Sequence, residues 1–224
     1  MSTDPYARTR EIYAEQRVGG GTVGFGRRAA VLVVDFQHLY TRGRCATGLD
    51  AVERTRDLLA VARTAGVPVV YTYVGYDPEH PDGGVWAQKC PGLLENVRGT
   101  WPCGIDELVA PAPGDLVLEK RAASAFFGTG LAGHLRALGV DTVVVTGTST
   151  SGCVRASVVD GVAWDFRMIV ARECVSDRSQ PSHDAALFDI DTKYGDVLDT
   201  AEVAARLAAP AEPPTDPART GGTP

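Results

Sequence analysis

Apolar residues in this chain come in short unbroken runs separated by longer segments of helical period. The runs are Ala29 to Asp35 (AAVLVVD), Val67 to Tyr73 (VPVVYTY), Leu116 to Lys120 (LVLEK) and Asp141 to Gly147 (DTVVVTG). Runs of this length without alternation fit strands covered on both faces. Arg167 to Ala171 and Asp196 to Leu198 read as a fifth and a sixth strand. Between them, Val52, Leu58, Leu59 and Ala62 recur at helical spacing within Asp50 to Thr64, and Gly66 marks that helix's end. Further helices are expected over Thr129 to Leu138 (stopped by Gly139), Ser151 to Trp164 and Ala201 to Leu207. Another is expected from a Ser182 cap to Lys193, with Asp184 in its first turn. A short helix is also expected around Arg8 to Gln16. Strands alternating with helices predict an α/β, three-layer doubly wound domain. Its six-stranded sheet is mostly parallel, and right-handed crossovers put helices on both faces.

The expected organisation is an N-terminal arm at 1–28, one domain at 29–207 and a disordered tail, rich in Pro, Thr and Gly, at 208–224. Residues 74–114 form a long connection punctuated by Pro, Gly and Trp, and loops of this length are usually functional. The 224 residues carry a net charge of −6, which argues against a nucleic-acid surface. No segment has the apolar length of a bilayer span, so no membrane role is expected. Met1 to Gln16 lacks the apolar stretch of a signal peptide, so a cytoplasmic location is expected. The five cysteines are odd in number and include no C-x-x-C pair, which disfavours a zinc site or a redox dithiol. Cys45, Cys90, Cys103 and Cys174 read as small buried hydrophobes.

Cys153 is different. It lies in Gly147-Thr148-Ser149-Thr150-Ser151-Gly152-Cys153-Val154-Arg155, between an expected strand and an expected helix. Unpaired N–H groups and the dipole at a helix N-terminus favour an anion and can lower a thiol pKa, so Cys153 is a candidate nucleophile. Asp35 closes the first strand and Lys120 the third. Ligands of open α/β sheets bind outside the carboxyl ends of strands, where all three residues fall. Each has a plainer alternative: a turn-forming Asp, a solvated Lys, a buried thiol. Together they suggest acyl transfer by a thiol, with Asp35 as base, Lys120 holding the thiolate and backbone N–H groups holding the oxyanion. None of His38, His80, His134 and His183 sits in a comparable place, which disfavours a Cys-His pair.

The chain resembles the isochorismatase-like cysteine hydrolase superfamily, and within it the N-carbamoylsarcosine amidase branch. The resemblance rests on Val23-Gly24-Phe25-Gly26 before Val33-Val34-Asp35-Phe36, on Lys120 to Thr129, on Gly147 to Ala156, on Ser176-Asp177-Arg178, and on Leu187 to Ile190 with Lys193-Tyr194. It implies an Asp35, Lys120, Cys153 triad and a cis peptide joining Thr148 to Ser149 at the oxyanion site. It also implies that Arg178 binds a substrate carboxylate, assisted by Thr150. Trp86 and Phe126 are further substrate-binding candidates, and Trp101 is an alternative pocket wall. Tyr76-Asp77-Pro78-Glu79-His80 lacks the metal-binding pattern of nicotinamidase-like relatives, so no metal and no cofactor are expected. The implied activity is hydrolysis of a C–N bond in a small-molecule amide or carbamoyl substrate bearing a carboxylate, with release of ammonia. N-carbamoylsarcosine is favoured over maleamate and ureidoacrylate. An enol-ether hydrolase and a non-catalytic binder are the alternatives. The resemblance further implies a homo-oligomer, a tetramer or a dimer, with residues 17–28 and 188–194 as candidate interface segments.

Overall fold

Valine and other β-branched residues dominate the sequences that become strands, because their stiff side chains pack well on a pleated surface. A computed structural model describes residues 5–79 and 82–209. Its strands are β1 (Ala29–Val34), β2 (Val69–Val74), β3 (Leu116–Lys120), β4 (Thr142–Thr148), β5 (Arg167–Ser176) and β6 (Asp196–Leu198). All pair in parallel, in the order β3-β2-β1-β4-β5-β6. The helices are α1 (Ala7–Gln16), α2 (His38–Thr41), α3 (Asp50–Thr64), α4 (Gly84–Lys89), α5 (Leu131–Ala137), α6 (Arg155–Ala163), α7 (Gln180–Lys193) and α8 (Thr200–Ala208).

Both faces of the sheet are buried, as unbroken apolar runs require. Leu32, Val34, Val143, Val145 and Met168 face Leu131, Leu135, Val158 and Ile190 from α5, α6 and α7. Their sequence neighbours Val31, Val33, Val144 and Ile169 face Val52, Leu58, Leu59, Val203 and Leu207 from α3 and α8. Each such side chain contributes roughly 1.5–3 kcal/mol through burial.

The chain leaves β1 to build β2 and β3 on one side, then returns to build β4, β5 and β6 on the other. The strand order therefore reverses between β1 and β4, and the crevice at such a switch point is where open α/β sheets take ligands. Two irregularities shape that crevice. Gly147 has φ 125 and pairs with Val34, and a Cβ there would overlap the Val34 carbonyl. Only glycine lets the ends of β1 and β4 come this close. On the far side of β4, Val145 pairs with Val170 but Gly147 pairs with Val175. β5 thus spends five residues where β4 spends two, a bulge that extends it to Ser176 rather than ending it at Ala171.

Other expectations shift. The helix expected from Ser182 begins at Gln180 with Pro181 in its first turn, and its N-cap is Ser179 without a side-chain bond. Proline fits a first helical turn because its missing N–H has no partner there anyway. The 74–114 connection contains α4 and 3₁₀ turns at Pro91–Glu95, Trp101–Cys103 and Glu107–Val109. Cys90 is exposed and Cys45 half-buried, whereas Cys103 and Cys174 are buried as expected. The arm lies along the domain: the N–H groups of Val23 and Gly24 donate to Asp196, and those of Arg27 and Arg28 donate to Asp141. The Tyr6 ring stacks on Phe188 at 4.4 Å. The Gly20 N–H donates to Thr192 O at 2.9 Å, so the two segments expected at an interface meet within one chain. Of the tail expected at 208–224, Ala208 closes α8 and Ala209 follows it, and 210–224 lie outside the described residues.

Gly147→Ala is expected to lower unfolding stability by roughly 3 kcal/mol or more, read by chemical denaturation, because both the left-handed φ and the missing space oppose it.

Candidate active site

Asp35 follows β1 with φ 52, a left-handed turn that swings its side chain under the end of the sheet. Its backbone N–H donates to Thr72 O, and Thr72 Oγ1 donates to Asp35 Oδ1 at 3.0 Å. Lys120 is the last residue of β3 and reaches across β2 to the same carboxylate. Its Nζ lies 2.7 Å from Asp35 Oδ2 and 3.4 Å from Cys153 Sγ, and donates to Ala122 O at 3.0 Å. The side chains are 0% and 1% exposed. The Lys–Oδ2 contact is an ion pair off the line of a regular hydrogen bond, so Oδ2 keeps lone pairs for another donor. The Cys153 thiol lies near enough to this carboxylate for Asp35 to raise its titration. The three residues expected to converge at the strand ends are therefore brought together around the Lys120 ammonium, which touches both of the others.

Cys153 occupies a π turn, Thr150–Val154, that precedes α6 rather than the first turn of the helix itself. The peptide joining Thr148 to Ser149 is cis. The turn is tied down from two sides. Asp177 Oδ2 accepts from the Ser151 N–H at 2.8 Å and from Ser151 Oγ at 2.7 Å. Ser157 Oγ donates to Cys153 O at 2.6 Å and accepts from the Ala125 N–H at 2.9 Å, which joins the cysteine segment to the lysine segment.

Burial and the Asp35 charge push the Cys153 thiol up to about 12, against the opposing pull of Lys120. This corrects the expectation of a thiol lowered by a helix N-terminus: desolvation and a neighbouring carboxylate outweigh the dipole. The resting thiol is protonated, and it sits beside a base that can take the proton. Lys120 is held above its ordinary value, its burial being outweighed by Asp35 and Cys153, so it stays an ammonium.

Arg178, carried forward by the β5 bulge, is exposed at the mouth of the crevice. Its Nη1 donates to Ser149 Oγ at 2.9 Å, and its guanidinium lies over the Tyr40 ring, 5.6 Å from the centroid. Trp86 on α4 is also brought to the site, with Lys120 Nζ 5.8 Å from its ring centroid. Other candidates are placed differently. Thr150 Oγ1 is hydrogen-bonded to His183 Nδ1 at 2.9 Å, which directs it toward α7. Phe126 is 4% exposed and packs against Phe166 in the core, because its segment folds under α5. Trp101 stacks on His38.

The sequence reading missed four contributors. Thr72 is a polar residue inside an apolar strand, a signal that could have been weighed. Tyr40, Gln37 and Asn96 form a buried relay. Gln37 Nε2 donates to Val74 O and Asn96 Oδ1, and Asn96 Nδ2 donates to the Tyr40 hydroxyl at 2.7 Å. Only the folded loop brings these together, so no sequence spacing announces them.

The chain as a whole is similar to known proteins. The family model described as the Isochorismatase domain matches residues 29–202. Maleamate amidohydrolase of Pseudomonas putida is 51% identical over 188 residues, covering 82% of this chain and 88% of that protein. N-carbamoylsarcosine amidase of an Arthrobacter species is 37% identical over 196 residues, covering 84% and 74%. The crystal structure of a cysteine hydrolase from Pseudomonas syringae superposes with a TM-score of 0.75 at 28% identity, covering 80% of this chain and 92% of that one. With a matched span that runs from the first residue of β1 into α8, this chain belongs to the isochorismatase family.

Proposed function

We propose that this chain hydrolyses the amide of a small, carboxylate-bearing monoamide of the maleamate type, through a thioester on Cys153. The enzyme class is that of its amidohydrolase relatives, a hydrolase of linear amides. One observation carries the mechanism: a single buried ammonium, Lys120, touches both the Asp35 carboxylate and the Cys153 sulfur.

Asp35 takes the thiol proton as sulfur attacks the amide carbon. Lys120 stays beside the new thiolate and the newly neutral acid, so the trio holds the same net charge before and after transfer. Backbone N–H groups of the Cys153 turn, next to the cis peptide at Thr148–Ser149, hold the oxyanion. The C–N bond then breaks, and Asp35 returns its proton to the departing ammonia. Water, deprotonated by Asp35, cleaves the thioester, releasing the acid and restoring the thiol. The net reaction consumes one amide and one water and yields one carboxylic acid and one ammonia. Arg178, with its planar fork at the mouth of the crevice, takes the substrate's free carboxylate. Trp86 walls the pocket beside Lys120.

The sequence resemblance favoured N-carbamoylsarcosine. The higher identity to the maleamate amidohydrolase supports a maleamate-type substrate in its place, and N-carbamoylsarcosine, whose carboxylate would meet the same arginine, is the second reading.

Assay of ammonia release from maleamate, N-carbamoylsarcosine, ureidoacrylate and the neutral cis-crotonamide tests the assignment. Maleamate is expected to give the highest kcat/KM, and no ammonia from any of the four would refute it. Cys153→Ala is expected to abolish turnover, a loss of about 10⁴-fold or more, while circular dichroism and Tm stay unchanged. Arg178→Ala is expected to raise KM for maleamate about tenfold to hundredfold while leaving cis-crotonamide unaffected. In the free enzyme, alkylation of Cys153 by iodoacetamide is expected to keep climbing past pH 9, because a thiol titrating near 12 is protonated through the neutral range. A plateau below pH 8 would contradict that protonation state.

A further inference from the structure

Arg178 is exposed, and a long exposed side chain left to itself samples many rotamers, each a cost to be met on binding. Two contacts hold it. Its Nη1 donates to Ser149 Oγ at 2.9 Å, and its guanidinium lies over the face of Tyr40. The separation of 5.6 Å from ring centroid to guanidinium carbon is within the range of a cation–π contact.

The ring itself is not free to move. The Tyr40 hydroxyl accepts from Asn96 Nδ2 at 2.7 Å. Asn96, fully buried, accepts from Gln37 Nε2 at 3.1 Å and donates to Leu93 O at 3.0 Å. Gln37 is clamped in turn, accepting from the Val74 N–H and donating to Val74 O and Cys103 O. Gln37 stands two residues after Asp35, and its own N–H donates to Asp35 O at 2.7 Å. The short helix bearing Tyr40 is pinned separately: Thr41 Oγ1 and the Arg42 guanidinium both donate to the buried Asp106. One continuous set of contacts thus runs from the turn at Asp35, through the loop and the Tyr40 ring, to Arg178 and the serine of the cis peptide.

We propose that Tyr40 is a positioning residue for carboxylate selection, its fixed aromatic face holding the Arg178 guanidinium toward the substrate beside Ser149. This rests on the reading of Arg178 as the group that binds the substrate's carboxylate. The Tyr40 phenol lies within electrostatic range of Asp35 and Cys153, but its hydroxyl is bonded to Asn96 and donates no proton in this scheme. Its effect therefore falls on binding of the carboxylate and not on the chemical step.

The test compares Tyr40→Leu, Tyr40→Phe, Arg178→Ala and the double variant Tyr40→Leu/Arg178→Ala. The readings are KM and kcat for maleamate and the inhibition constant of maleate, a product that carries the same carboxylate. Tyr40→Leu is expected to raise KM and the maleate constant about threefold to fivefold, the size of one partly exposed cation–π contact, with kcat within about twofold of the parent. Tyr40→Phe keeps the ring face and is expected to keep both constants within about twofold. In the Arg178→Ala background, Tyr40→Leu is expected to add nothing, because its target is gone. Tyr40→Met, closer in volume, supplies the same readings if the leucine variant folds poorly. An effect of equal size in the Arg178→Ala background, a loss confined to kcat, or an unchanged KM in both the leucine and methionine variants would overturn the proposal. If instead Arg178→Ala leaves maleate binding unchanged, the reading of Arg178 itself fails, and the role of Tyr40 falls with it.

Discussion

A buried ammonium is the constraint around which this molecule is arranged. Removing an unpaired charge from water costs several kcal/mol, so Lys120, fully buried at the end of β3, must have anionic or polar partners wherever it points. It finds the Asp35 carboxylate, the Cys153 sulfur and the Ala122 carbonyl. Meeting that need draws in the strands one after another. β3 supplies the lysine, β2 supplies Thr72 beneath the carboxylate, β1 supplies Asp35, and the end of β4 leads into the turn that bears the thiol. The feature that stabilises the buried cation also poises the chemistry. A carboxylate and a thiol share one counter-ion, so a proton can pass between them without creating an uncompensated charge.

The crevice owes its shape to two departures from regular sheet geometry. At Gly147 the ends of β1 and β4 approach more closely than a side chain would allow, and this sets the acid beside the cysteine turn. Beyond Val170 the surplus residues of β5 push Ser176, Asp177 and Arg178 forward. Asp177 then grips the cysteine turn through Ser151, and Arg178 reaches Ser149. A residue that holds the cysteine turn and the arginine proposed to bind the substrate's carboxylate thus arrive as neighbours in sequence from one bulge.

Much of this was legible in the chain, for identifiable reasons. Unbroken valine-rich runs announce strands buried on both faces, and Asp35 and Lys120 close two of them. A Gly-rich, Ser/Thr-rich stretch with one cysteine after such a run marks a strand-to-helix turn. What was not legible depends on sums over neighbours. Dipole reasoning at Cys153 gave the wrong sign because burial and Asp35 contribute more than the local backbone, and neither can be weighed before the fold is known. Phe126 belongs to a motif yet packs on Phe166, since motif membership does not say which way a ring turns. Thr150 has a hydroxyl in the right segment, but His183, thirty-three residues on, claims it. Tyr40 lies outside every recognised motif, and its place beside Arg178 is set by Asn96 and Gln37 in the folded loop.

The split between strand ends and loops has a consequence for how such a molecule can change over time. The proposed reacting trio stands on the sheet and on a turn fixed from two sides, where a replacement disturbs buried contacts. Trp86 and Tyr40, by contrast, sit on short helices in the connecting segments, and Arg178 lies just past a strand end. Connecting segments accept substitution more readily than the scaffold they cross. On the proposed reading, a lineage built on this plan can drift from one acidic amide to another by exchanging residues around the rim, while the bond-breaking machinery is inherited intact.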